Sequence, residues 1–192
     1  GPVQLNAAAL VLPAAIAAFH QTRAWLGAGA FALIAGLLAW QPDLSQLAAF
    51  SLAAVILCGA RFGPRGALGA LVIAVAALGY CLPRPDPLLP VPHVEDIVML
   101  AADQSPALAI AMGAGLAATV IAPILLWSDR RLRWPALALA AYFGVCALAR
   151  LFGAYPVPVA GYGLSFVIGW WIGVAALVLS PANDADAAEK ND

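Results

Sequence analysis

The chain has 192 residues, of which 64% are apolar and only 10% are Asp, Glu, Lys or Arg, and its mean hydropathy is +0.93. A water-soluble domain carries about 25% charged residues, so this composition excludes a disordered chain, a nucleic-acid binder and an ordinary cytosolic enzyme. Nine basic against ten acidic residues leave a formal charge of -1, and the total alone implies no electrostatic partner. The composition is that of an all-α integral membrane protein.

Residues 1–2, Gly-Pro with no initiator Met, read as a tag or processing scar. Residues 3–180 read as one transmembrane helical domain. Seven apolar stretches in it approach the roughly 20 residues that a span needs: 3–19, 24–40, 44–60, 66–82, 107–127, 134–152 and 163–180. Alanine and glycine dominate their interiors, and small residues let helix backbones approach closely in lipid. The expected fold is a polytopic bundle of about seven transmembrane helices. Residues 181–192 are acidic and small-residued and are expected to form a disordered cytoplasmic tail.

Charge asymmetry predicts the orientation. The first, third and fifth loops carry Arg23, then Arg61 and Arg65, then Arg130, Arg131 and Arg133, whereas Arg84 and Arg150 alone serve the others. Cytoplasmic loops hold the excess of Lys and Arg, so the odd loops and the C-terminus are assigned to the cytoplasm of a bacterial inner membrane. Trp25, Trp40, Trp127, Trp134 and Trp170-Trp171 fall mostly near span ends and read as interfacial anchors. Cys58, Cys81 and Cys146 are far apart in apolar stretches and read as buried spectator thiols, with no metal site among them.

Three polar segments gather on the outer side. Gln41-Pro42-Asp43-Leu44-Ser45-Gln46 has the chemistry of a turn and helix cap, since Asp43 and Ser45 can accept from free backbone N–H groups. Five prolines between 83 and 92 enforce a stiff extended loop that holds Arg84 and Asp86. His93 then opens an apolar-periodic run in which His93, Asp96 and Asp103 fall within about an 80° sector of one helix, with Glu95 pointing elsewhere. An acid at membrane depth is a functional-site hypothesis by default; the alternative is that His93, Asp96 and Asp103 cap helices or lie in outer water. The third segment, residues 155–165, combines Pro156 and Pro158 with Gly161, Tyr162, Gly163 and Ser165. Non-helical backbone there must be buried in protein or line a wet cavity. Together the three segments predict one outward-facing cavity.

In order, these segments resemble the motifs of the SEDS family of cell-wall polymerases, the FtsW, RodA and SpoVE type. Gln41-Pro42-Asp43-Leu44-Ser45 is similar to a QPDxGT-like element, and HVEDIVMLAADQ from His93 aligns without a gap on HTDFIFAVIAEE. Pro156 to Ser165 resembles P-x-PF-x-SYGGS. The resemblance covers roughly residues 30–180. It implies a part in cell-wall biogenesis, cell shape or division, through glycan polymerisation from a polyprenyl-linked precursor such as lipid II at the outer face. Asp86, in Asp86-Pro87-Leu88, is the implied base, which must reach an acceptor hydroxyl in its ionised form; Asp96 and Asp103 are second choices. Arg84, His93, Glu95, Gln41, Asp43, Tyr162, Gly163 and Ser165 are the implied substrate-binding residues, and the guanidinium of Arg84 suits a pyrophosphate. A penicillin-binding transpeptidase partner and a divalent cation also follow from the family, alongside membrane lipid; no nucleic acid is expected. The chain departs from the family in having about seven spans rather than about ten and a much shorter loop after Asp86. A non-catalytic SEDS-like scaffold or lipid-binding subunit is therefore the alternative. A small-solute transporter is a weaker one, because the helix breaks do not repeat in two halves.

Overall fold

The computed structural model describes residues 6–84, 91–161 and 163–180, and among them every regular element is a helix, with no strand. Asp86, Tyr162 and the tail at 181–192 lie outside the described residues. We number the helices α1 (Ala7–Ala18), α2 (Ala24–Trp40), α3 (Leu44–Cys81), α4 (Pro92–Glu95), α5 (Ile97–Gln104), α6 (Pro106–Ile121), α7 (Arg133–Ala149) and α8 (Leu164–Val178). A 3₁₀ turn, Phe19–Gln21, follows α1, and another, Ala122–Ser128, extends α6.

Each of the seven apolar stretches contains a helix among its described residues. Two helices are long and apolar enough to cross a membrane by length and composition: Leu44–Cys81 and the α6 unit Pro106–Ser128. The first is not one straight rod. Gly63 has φ 67° and ψ -160° with Pro64 after it, a backbone region open essentially to glycine alone, and Pro64 cannot donate to the helical ladder. Straight, 38 residues would extend about 57 Å, yet Arg84 Nη1 lies 3.2 Å from the carbonyl oxygens of Ala39 and Trp40, just before the helix begins. The helix therefore folds back at Gly63 into two arms, 44–62 and 64–81. Each is about 27 Å long at 1.5 Å per residue, close to the roughly 30 Å hydrocarbon thickness.

Helix α7 forms the centre: Ala136, Ala138, Leu139, Tyr142, Phe143 and Cys146 are all buried. The first arm of α3, α1, α6 and the 3₁₀ turn after α6 pack around it, with α8 against α1 and α2 against α3. Helices α1 and α8 run parallel, because Asn6 N–H donates to Ser165 Oγ at 2.9 Å at one end and Gln21 Nε2 to Ser180 Oγ at 2.6 Å at the other. Their approach is close. Pro13 leaves the carbonyl of Ala9 without its helical donor, and Gly169 sits against that oxygen, where a Cβ would collide with backbone. Gly173 meets Pro13 one turn on, so Gly169 and Gly173 form the small-xxx-small contact that lets helices touch in lipid.

The periphery is apolar. No residue of α6 is buried, and Ile110 and Leu125 are 73% and 77% exposed. The second arm of α3 likewise exposes Leu68, Val72 and Val75. Contiguous apolar surface of this kind marks a membrane or protein contact.

The connections define two ends. One gathers Asn6, residues 41–46, Arg84, residues 91–96, residues 150–161 and Ser165, and carries the described carboxylates except Asp129. The other gathers the turn after α1, the Gly63 bend, Ser180 and the residues between α6 and α7; there Arg61 Nη1 donates to Phe19 O at 3.0 Å. All three cysteines are free and buried, as their apolar settings predict.

Candidate functional site

The site is built at the carboxylate end around Arg150, the residue that closes α7. Its Nε donates to the Glu95 carbonyl at 3.0 Å, Nη1 donates to the Gly153 carbonyl at 3.3 Å, and Nη2 pairs with the Asp96 carboxylate. One guanidinium thus ties the 91–96 segment to the loop after α7. Its planar fork, with five donors, suits this divided task better than a lysine would. The loop adds its own bond, Val157 N–H to the Val94 carbonyl at 3.1 Å. Gly161 completes the contact: a Cβ there would lie 2.8 Å from Val94 O and 3.0 Å from Val157 O.

These bonds also break the helix expected from His93 onward. Helix α4 is a single turn, and Asp96, with φ -98° and ψ 13°, separates it from α5. Arg150 takes the Glu95 carbonyl that a continuing helix would use, while the Glu95 carboxylate turns back to cap the start of α4, accepting from Val91 N–H at 2.5 Å. His93, Asp96 and Asp103 therefore do not share one continuous helical face. His93 is exposed on α4 and Asp103 is exposed near the end of α5, where Ser105 breaks the chain again and caps α6 through Ala107 N–H.

The loop at 153–161 enters the protein. Val157 and Pro158 are buried, and Val159 packs on the core with φ 63°, a left-handed conformation rare for a β-branched residue. Val159 and Ala160 border an open apolar groove of ≈ 290 Å³, whose other wall is Leu108, Met112, Gly115, Leu116 and Thr119 of α6. Strain held at the rim of a groove is a recurring mark of functional sites.

The first polar segment is both cap and anchor. Asp43 caps α3, accepting from Gln46 N–H at 3.1 Å and from Ser45 Oγ at 3.2 Å. Gln46 is buried; its amide oxygen accepts from Tyr142 and its Nε2 faces Cys146 Sγ at 3.9 Å, both on α7. Gln41 is exposed at the end of α2. Arg84 holds the last carbonyls of α2 and lies 4.9 Å from the Tyr80 ring centre. Gly163 is the exposed residue before α8, with extended backbone, and Ser165 is buried against Asn6. Of the expected site residues, Glu95 and Asp96 are thus joined to the third segment through Arg150, while Asp43 and Ser165 serve helix contacts.

Arg150, Gln46 and Tyr142, which organise this end, are not among the candidate site residues of the sequence. An arginine closing an apolar helix beside a Gly/Pro-rich loop was the available signal for the first. Among the described residues no three His, Cys, Asp or Glu side chains converge as a metal site requires. Comparison with family models, curated proteins and solved structures gives no match to this chain.

Proposed function

We propose that this is a multi-pass membrane protein, SEDS-like, that binds a polyprenyl-linked glycan precursor such as lipid II at its carboxylate end, and so serves cell-wall biogenesis, cell shape or division. In this reading the seven helical segments cross the bacterial inner membrane, the carboxylate end faces outward and the arginine end faces the cytoplasm. The observation that carries it is the junction of the 91–96 segment and the 153–161 loop beside an apolar groove. The groove opens on the outer side of α6, so a polyprenyl chain would enter it sideways from lipid. The glycan and pyrophosphate would then lie over the polar end.

The non-catalytic alternative has a specific observation in its favour. The Glu95 carboxylate accepts from backbone and Asp96 is paired with Arg150, so both have structural work. Asp86 therefore carries the catalytic proposal, as base for the acceptor hydroxyl, with a penicillin-binding transpeptidase as the partner to supply.

Binding and chemistry separate in one set of experiments. Gly115 borders the groove and a Cβ there meets nothing within 4 Å, so Gly115→Leu adds its side chain at an unobstructed position of the groove wall. We expect it to weaken binding of lipid II to the purified protein by about tenfold, the equivalent of ~1.4 kcal/mol. Gly113→Leu, equally open but off the groove, should leave binding unchanged. Failure of the wild type to bind any polyprenyl-linked glycan, or equal affinities for both variants, contradicts the proposal. Polymer formed by wild type with a transpeptidase and lost in Asp86→Asn would assign catalysis; binding without polymer under any partner would assign the scaffold role.

A further inference from the structure

We infer that the turn Trp127–Trp134, between α6 and α7, is a binding site for the phosphate of an anionic phospholipid, built on Arg130 and Arg133. This rests on the membrane placement proposed above but not on the glycan precursor.

Three arginines lie within four residues here, and the turn sorts them. Asp129 organises it: its carbonyl accepts from Leu132 N–H at 3.1 Å and Arg133 N–H at 3.0 Å, and its carboxylate accepts from Arg131 N–H at 2.9 Å. The same carboxylate forms an ion pair with the Arg131 guanidinium at 3.0 Å. Hydrogen bonding from Arg131 holds Asp129 below the usual carboxylate range, so the pair is ionised at neutral pH and Arg131 is occupied.

Arg130 and Arg133 have no carboxylate partner among the described residues. Arg133 is held in place nonetheless. Its guanidinium carbon lies 5.1 Å from the centre of the Trp127 ring, a cation–π distance. Its Nε is buried with no hydrogen-bond partner among the described residues. A buried donor left unmet destabilises the fold, and a phosphate oxygen reaching the guanidinium edge would satisfy it after a small side-chain shift.

Trp127 and Trp134 pack edge to face at 6.0 Å and remain 40% and 44% exposed. Amphipathic rings of this kind sit at head-group depth, and the apolar α6 unit ends beside them. A preference for basic residues on the cytoplasmic side needs only charge, which Arg23, Arg61 and Arg65 already supply. It does not require a guanidinium held against Trp127 with a buried, unmet Nε. Lys and Arg clusters next to a span bind anionic head groups, and the placement of Arg133 against Trp127 makes that attraction local.

The test is native mass spectrometry of the full chain in detergent, titrated with phosphatidylglycerol or phosphatidylcholine. We expect one phosphatidylglycerol bound about tenfold more tightly than phosphatidylcholine, a difference of ~1.4 kcal/mol. Arg130→Gln with Arg133→Gln should abolish that preference, while Arg23→Gln with Arg65→Gln, the same charge change at the same end, should keep it. Arg133→Lys, which retains charge but not the planar stack, should lose most of it, provided its helicity and melting temperature in lipid-free detergent match wild type. Equal loss in the two double variants, no preference in wild type, or complete displacement by millimolar inorganic phosphate would each overturn the inference. Release of the chain from membranes by alkaline carbonate would instead defeat the membrane placement. Retention there without a phosphatidylglycerol preference defeats the lipid site alone.

Discussion

Gln46 lies in the first turn of α3 with its side chain fully enclosed, and its amide oxygen accepts from a tyrosine 96 residues away. Removing that donor by Tyr142→Phe leaves the amide oxygen enclosed and unmet. In water-soluble proteins such a loss costs roughly 1–3 kcal/mol; interhelical bonds in membranes average about 0.6 kcal/mol because the unfolded reference also finds partners. The expected cost is thus about 1 kcal/mol, read as a lower melting temperature in detergent, and Gln46→Leu with Tyr142→Phe should recover part of it. The local half of this arrangement was legible in the sequence, since Asp43 two residues before Ser45 reads as a cap and acts as one. The distant half was not. Nothing in the spacing of Gln46 names Tyr142, because that contact is set by how α3 and α7 pack. Arg150 shows the same limit: its partners at Glu95 and Asp96 lie 55 and 54 residues earlier.

The elements were more legible than the contacts between them. Each apolar stretch forms a helix, and the Gly63-Pro64 step, lying between two of those stretches, is where α3 reverses. The run from His93 was misleading, because periodicity reports which side chains are apolar and not which carbonyls are taken by a distant arginine. Helix α8 carries a signal within the sequence in Gly169-Trp170-Trp171-Ile172-Gly173, whose glycines face α1. Gly169→Val places side-chain atoms against the Ala9 carbonyl, a backbone atom that cannot rotate away. Overpacking of this type typically costs about 1–3 kcal/mol, and the parallel pair should separate. Gly113→Ala, on the open face of α6, meets nothing within 4 Å and should leave the melting temperature unchanged or slightly raised. Equal effects at the two glycines would show that α1 and α8 are not in close contact.

Across the whole molecule, charge and exposure point the same way. Arg23, Arg61, Arg65, Arg130, Arg131 and Arg133 lie at one end, while Asp43, Glu95, Asp96 and Asp103 lie at the other. Between them stands a wall of exposed apolar side chains of the kind that marks a membrane or protein contact. The two arginines at the carboxylate end are both committed, Arg84 to the end of α2 and Arg150 to the 91–96 segment. The proposed site depends on this polarity, because a groove that takes a polyprenyl chain needs lipid beside it and a polar face above it.

Cysteine labelling of intact cells measures that polarity directly. The native cysteines are buried, so single cysteines at two exposed positions, His93→Cys and Arg130→Cys, report the two ends with little background. A membrane-impermeant maleimide should label His93→Cys in intact cells and Arg130→Cys only after permeabilisation. Labelling of Arg130→Cys alone in intact cells would invert the topology, and labelling of both at once would contradict a chain whose ends lie on opposite sides of a membrane.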